Sequence, residues 1–449
     1  MKLKLENVAR VSSATIELGG ITVVAGSNGS GKSTISRSLV TLCSVSGRSS
    51  ELIRNERLRS VLGVLQKSSQ KVGIDIAWQG LSFFWGRRGD DGFRHWPQED
   101  VVNLLSSDWW ADKDNVCKWL QDSKYVYVGS GELKSDARFQ QIFDEVREGV
   151  NEVLARGDGD YAKHVCKKSF GKAFNRQIRP VFGSASDLGD SIESLISIES
   201  DQKDGSALRK LGVKFCDGEC SEQFGLGGKW FSSFVYFEPL NTIDFANDCF
   251  NSDLDRYTAG SLSAANIVAK KPPKDLSLED QKELDELKGI VKELVELIHG
   301  RIVDGESELR FREKFSNEKE YEIDLLNIAS GMKTIAAIVR AVENRSIKKE
   351  SMLVFDEPES NLHPEWQVRL AFFLVMLVQK TQISLLVNTH SPYFLQALWK
   401  FSHKEKVPNH FYHMIPDGDT DSFTSNDVTE KIDDVFRTMY QPFHELMGK

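Results

Sequence analysis

The sequence predicts an α/β fold, a mixed sheet flanked by helices, carrying a large and mainly helical insertion. Three observations predict it. Ile21 to Ala25 is a short apolar run that leads directly into Gly26-Ser27-Asn28-Gly29-Ser30-Gly31-Lys32-Ser33. Met352 to Phe355 is a second apolar run and ends in Asp356-Glu357. Ile383 to Asn388 is a third and ends in Thr389-His390-Ser391. Strands buried on both faces of a parallel sheet read as continuous apolar runs. Helical stretches lie between the last two runs, and strand–helix–strand alternation implies a parallel sheet covered by helices.

Along the chain, Lys2 to Leu18 alternates apolar and polar residues, as a strand pair does, and Gly19-Gly20 breaks it. A helix is expected from Lys32 to about Cys43. Residues 97–122 and 135–156 read as helical. Segment 71–96 mixes β-rich stretches with the turn Gly89-Asp90-Asp91-Gly92 and reads as a hairpin. Residues 183–207 are rich in Ser, Asp and Gly and read as mobile. Phe231 to Phe237 reads as a strand. A helix follows from about Ser277 to His299, with Leu284, Leu287, Val291, Leu294 and Ile298 on one stripe. Two further strands are expected near 308–314 and 320–326. The next helix begins near Gly331 and another at Pro364, a favoured first helical position. The expected division is 1–44 and 230–449 as two parts of one domain, with 45–229 inserted between them.

Composition narrows the function classes. The chain has 449 residues, 40% hydrophobic, which is enough for a sizeable core. Its formal net charge is -9, so no basic excess advertises nucleic acid. The six cysteines are scattered, and Cys216 and Cys220 alone do not make a zinc signature. The N-terminus has no apolar core of a signal peptide. The longest apolar run, Leu370 to Val378, is about half a bilayer span. These features together predict a cytoplasmic location and no membrane partner.

Gly26 to Ser33 fits G-x-x-x-x-G-K-S in full. Its glycines let backbone N–H groups wrap phosphates without Cβ clashes, and the following helix adds its positive end. Lys32 is placed to reach the β- and γ-phosphates, and the Ser33 hydroxyl to hold Mg2+, with Thr34 just beyond. Alone, the loop specifies ATP or GTP. Asp356 sits where a strand meets the sheet's C-terminal edge, the ligand-binding edge of open α/β sheets, and would hold Mg2+ there. Glu357 would orient the attacking water. His390, at the end of the next strand, would hydrogen-bond the γ-phosphate and that water. Ser330-Gly331 opens a helix, and a serine at that place is more often an N-cap than a site. The segment Trp78 to Trp96 carries aromatics beside Arg87, Arg88 and Arg94. It reads either as a packed hairpin with a basic tip or as a surface that stacks nucleobases.

In order along the chain, the loop at 26–33, Ser330-Gly331, Asp356-Glu357 and His390 resemble the ABC-type P-loop ATPases. The resemblance implies that ATP is the nucleotide. It also implies that Ser330 and Gly331 close on ATP held by another copy's Lys32. A homodimer, or an assembly of dimers, is then the minimum unit. The stretch I-A-S-G-M departs from the family's usual L-S-G-G-Q, and the family's Q-loop glutamine has no evident counterpart.

More narrowly, DEPESNLHP (356–364), NTHSPYFL (388–395) and LENVARVSSATIELGGITVVAGSNGSGKST resemble the OLD-like and RecF-like branch. That branch includes standalone ATPases of antiphage systems such as Septu and PARIS. It implies an ATPase that controls a separate effector, with a nuclease of HNH or Toprim type as the expected partner. Only 59 residues follow His390, too few for a typical Toprim domain. Asp417-Gly418-Asp419-Thr420-Asp421 reads as a hairpin turn rather than a metal site. The alternative is a RecF-like repair ATPase that binds DNA directly, which keeps nucleic acid open as a partner.

Overall fold

The computed structural model describes residues 1–72, 76–78, 98–122, 126–128, 137–157, 159, 161, 167–171, 174, 193–200, 209–216, 219–225, 230–231, 233–238, 264–314, 319–418 and 421–446. They divide into two units. One comprises residues 1–46 with 170–449, and the other residues 47–169.

The chain opens with strands β1 (Lys2–Val8), β2 (Val11–Glu17) and β3 (Ile21–Ala25), followed by helix α1 (Lys32–Gly47). The second unit then contains α2 (Ser49–Lys71), β4 (Ile76–Trp78), α3 (Gln98–Leu104), α4 (Ser107–Ala111), α5 (Lys113–Asp122), β5 (Val126–Val128) and α6 (Ala137–Ala155). Its core joins Leu58, Val61 and Leu65 of α2 to Phe139, Phe143 and Val146 of α6, with Trp110 fully buried among them. Such aromatic and aliphatic burial is what allows a small helical unit to hold together. Most of the hairpin expected within 71–96 lies outside the described residues; its described strand β4 pairs antiparallel with β5. Residues 79–97 lie outside the described set, as does most of the Trp78 to Trp96 segment.

The chain continues with β6 (Glu193–Ser200), β7 (Arg209–Cys216), β8 (Glu219–Phe224) and β9 (Phe234–Phe237). Then come α7 (Ala264–Ala269), α8 (Leu278–Ile298), β10 (Gly300–Asp304), β11 (Leu309–Lys314), β12 (Glu320–Asp324) and α9 (Ser330–Glu343). The last elements are β13 (Met352–Asp356), α10 (Pro364–Thr381), β14 (Ser384–Thr389), α11 (Pro392–Lys404), β15 (Asn409–Pro416), β16 (Phe423–Asp427) and α12 (Ile432–Leu446).

Eleven strands form one mixed sheet in the order β8-β7-β6-β1-β2-β16-β15-β3-β14-β13-β9. Strands β15, β3, β14, β13 and β9 run parallel to their neighbours in that series. Of these, β3 and β13 are almost wholly apolar and buried at every position, whereas β15 carries Asn409, His410 and His413. The series β8-β7-β6-β1-β2 is antiparallel and alternates, as a sheet with one wetter face does, and β16 links the two parts, parallel to β2 and antiparallel to β15. The mixed α/β architecture read from the sequence is the one observed.

One assignment is corrected. Residues 193–224 were expected within the 45–229 insertion; of segment 183–207, read as mobile, only 193–200 is among the described residues. Residues 193–200 are instead strand β6, which pairs with β1, and β7 and β8 extend the same sheet. Ile196 and Ile198 sit in the core at 1% and 0% exposure. Serines alternating with these isoleucines disguise a period-2 strand as a polar loop. The pairing also covers the edge of β1, whose backbone groups would otherwise lack partners.

Helix α8 buries all five residues of its predicted stripe, Leu284, Leu287, Val291, Leu294 and Ile298. Ser277 caps its start and His299 ends it in the left-handed conformation, φ 50°. Arg345, just past α9, binds Asp280 and also Glu283 at 3.0 Å, tying α8 to the end of α9. No described helix is long and apolar enough to cross a membrane.

Candidate functional site: a phosphate loop at the sheet's C-terminal edge

Strand β3 lies between β14 and β15, with Ala25 opposite Thr389 on one side and His413 on the other. The next parallel neighbour, β13, places Asp356 opposite Asn388. The segments leaving β3, β13 and β14 therefore emerge at one edge. They are residues 26–34, Glu357 and His390.

The loop needs its glycines. Gly31 has φ 89°, and a Cβ there would lie 2.8 Å from Val11 Cγ2. A side chain at that position would be both strained and crowded. Lys32 is 4% exposed, and its ammonium donates to the carbonyls of Gly26 at 2.9 Å and Ser27 at 2.8 Å. Burial lowers its pKa, while Glu357, Asp356 and Glu359 favour its charge. Ser33 Oγ donates to Asp356 Oδ1 at 3.0 Å. That pair is a set of hard oxygen donors facing a buried ammonium, which suits a hydrated Mg2+ on a phosphate chain. The residues present thus fit Mg2+ and a nucleotide polyphosphate.

Asn388 binds the pieces together. Its Nδ2 lies 2.9 Å from Lys32 O, 2.7 Å from Ser36 Oγ and 2.9 Å from Asp356 Oδ1. It is fully buried, so these contacts are unscreened by water.

Glu357 departs from β13 in the left-handed region, φ 54°. A non-glycine residue is held there only when its surroundings demand it. Its amide donates to Asn388 O at 3.0 Å, and its Oε1 lies 3.1 Å from Nδ1 of His390. Both side chains remain partly open to solvent. A carboxylate and an imidazole so paired can accept a proton or hold a water beside the loop.

Ser330 and Gly331 are not joined to the loop. Among the described residues no hydrogen bond links either to residues 26–34. The N-cap of α9 is Ala329, with no side-chain cap bond, so the cap reading of Ser330 is corrected. Ser330 is the first helical residue and is exposed. Gly331 packs under the turn after Glu357, where a Cβ would lie 2.6 Å from Asn361 O.

Sequence reasoning missed several participants. Phe237 of β9 pairs in register with Phe355 and stacks on it at 4.4 Å, so Glu238 leaves the sheet beside Asp356. Burial raises the Glu238 carboxyl, partly countered by Arg37 of α1. Tyr236 lies 3.5 Å from Asp356 Oδ2, and burial pushes its phenol up. The signal was present: F-V-Y-F-E repeats the pattern of M-L-V-F-D, an apolar strand ending in an acid. Asp417 and Asp421 flank the connection from β15 to β16, which pair antiparallel as a hairpin, and 419–420 lie outside the described residues. Among the described residues no group of three potential ligands is placed to hold a metal ion.

A family model described as "AAA domain, putative AbiEii toxin, Type IV TA system" matches residues 221–396. That stretch includes Ser330, Asp356, Glu357 and His390 but not the phosphate loop. No curated protein matches. Among solved structures, the chain is similar to an SMC head bound to the C-terminal winged-helix domain of ScpA, at 10% identity and TM-score 0.42, over 97% of this chain and 98% of that one. The SMC head domain from Thermotoga maritima matches at 11% identity and TM-score 0.37, over 95% and 98%. The ADP conformation of an ATP-binding cassette of an ABC transporter matches at 11% identity and TM-score 0.32, over 97% and 95%. The chain's fold is a mixed α/β sheet flanked by helices, and its candidate site is a phosphate loop at the sheet's C-terminal edge beside Asp356.

Proposed function

We propose that the chain hydrolyses ATP in sites shared between two copies, and that this cycle controls a separate effector in a bacterial antiphage system. The observation that carries the first part is the convergence of Lys32, Ser33, Asp356, Glu357 and His390 at one sheet edge. Gly26 to Thr34 would bind the phosphates through backbone N–H groups and the N-terminus of α1. Ser33 and Asp356 would hold Mg2+, which when bound neutralises phosphate charge. Lys32 exchanges its loop carbonyls for phosphate oxygens and stabilises the charge that develops on them. Glu357 orients water for in-line attack and draws its proton. His390 holds Glu357 through Nδ1 and turns its other ring nitrogen toward the γ-phosphate.

Ser330 and Gly331 of a second copy would complete each site. Two features support this: Ser330 is exposed and free of capping duty, and among the described residues no hydrogen bond ties it to its own loop. Comparing ATP turnover by the purified parent and Glu357→Gln tests the catalytic part. Equal, negligible turnover in both would contradict it.

The effector reading rests on the OLD-like pattern 356–364 and on the toxin named in the matching family description. A cytoplasmic complex with a nuclease of HNH or Toprim type is the expected form. Co-expression with the neighbouring genes tests it. A chain that confers phage resistance without any second protein would contradict it.

A further inference from the structure

We propose that Glu359 is a positioning residue of this site: it clamps the end of β14 through Thr389 so that His390 meets Glu357. The proposal rests on the ATPase reading above.

Glu359 lies two residues beyond Glu357 in the turn that leaves β13, yet it is only 2% exposed. Thr389 Oγ1 donates to its Oε1. The same hydroxyl accepts from the amide of Ser391 at 3.0 Å. Ser391 Oγ in turn donates to Gln367 Oε1 of α10 at 2.6 Å and accepts from Phe394 N at 3.4 Å, capping α11. Both neighbours of His390 are thus pinned, Thr389 by Glu359 and Ser391 by Gln367. On the other side of the site, Glu357 N is fixed to Asn388 O at 3.0 Å. The imidazole is the exposed member of a short segment whose flanks cannot move independently.

A purely structural strut would be a poor use of this group. Its Oε2 has no hydrogen-bond partner among the described residues. Burying an unsatisfied carboxyl oxygen opposes folding, and an apolar residue would fill the space at less cost. The carboxyl does, however, place an acceptor directly behind the Thr389–His390 backbone. Burial pushes its pKa up to about 7, against the lowering pull of the Thr389 hydroxyl. The titratable groups facing it are His390 just past β14, Glu357 from its own turn and Lys32 from α1. Gln367 from α10 is uncharged.

The test uses the full chain and three proteins: parent, Glu359→Ala and Glu359→Gln. ATP hydrolysis is measured against ATP concentration and pH, and amide exchange is followed at 389–391. Glu359→Ala is expected to lower kcat about 10- to 100-fold with little change in KM, because misplacing a catalytic group costs on that scale. It should also speed exchange at Ser391. Glu359→Gln keeps the acceptor for Thr389, so it should recover most of kcat while altering the pH profile near neutrality. Parental kcat in Glu359→Ala overturns the proposal. So does a Glu359→Gln protein that folds but is as slow as Glu359→Ala, or one with the parental pH profile. A parent with no turnover would contradict the ATPase reading and the positioning role together. An active parent with an unaffected Glu359→Ala would contradict the positioning role alone.

Discussion

Nδ1 of His390 lies 3.1 Å from Oε1 of Glu357, although the two residues end different strands. The approach depends on the left-handed turn at Glu357, which aims its side chain across the edge toward β14. Under the ATPase proposal, Glu357 is the general base and is held by a group that can also face phosphate. Glu357→Gln keeps the shape and removes the basicity. It is expected to lower ATP turnover by about 100-fold or more while leaving ATP affinity near the parent's. Phosphate release and equilibrium nucleotide binding, measured on the same preparation, check both halves.

Lys32 makes two hydrogen bonds to its own loop, and the sequence places it where it can turn to phosphate instead. Lys32→Ala should abolish the rise in melting temperature that ATP with Mg2+ gives the parent. Ligand binding to the native state alone stabilises by about 2.7 kcal/mol at a hundredfold excess over Kd. Thermal scans with and without nucleotide read this directly.

Gly331→Ala tests the packing of α9 on the turn after Asp356. The added Cβ would meet backbone, Asn361 O at 2.6 Å, and backbone cannot swing aside as a side chain can. Overpacking of this kind costs about 1–3 kcal/mol. A lowered urea midpoint with an unchanged slope is the expected outcome.

Glu359 gives a pH-dependent stability with a definite sign. Its carboxyl is raised from 4.5 to about 7 in the folded state. Between those values the folded protein binds the proton and the unfolded chain does not. Stability from this group is therefore full below about pH 4.5, falls through the interval and levels off above about 7. Glu359→Gln removes the effect. The stability difference between variant and parent should grow in the variant's favour across that window, by on the order of 1–3 kcal/mol, in urea titrations at several pH values.

Much of this site was legible in the sequence because its strands are apolar throughout and end in chemically distinctive residues. β3 runs into glycines, β13 into Asp356 and β14 into His390. The stripe Leu284 to Ile298 was legible for a related reason, since burial on one helix face leaves a strict spacing. What escaped was whatever depends on tertiary pairing. β6 hides Ile196 and Ile198 among serines, and only the edge of β1 makes a strand of it. Glu359 reads as one more acid in a polar turn, and nothing local shows that it is buried. Ser330 looked like a helix cap, whereas the chain enters α9 one residue earlier at Ala329.

Mixing two inactive variants tests the shared site most directly. Lys32→Ala lacks the loop's ammonium, and Ser330→Arg would block the exposed helix start that the shared-site proposal turns toward another copy. Each is expected to be inactive alone. When subunits exchange, half of the mixed dimer's sites pair an intact loop with an intact Ser330, and ATP hydrolysis should return in the mixture. If each variant is folded, exchanges subunits and stays inactive when mixed, the account of a site built from two copies is contradicted.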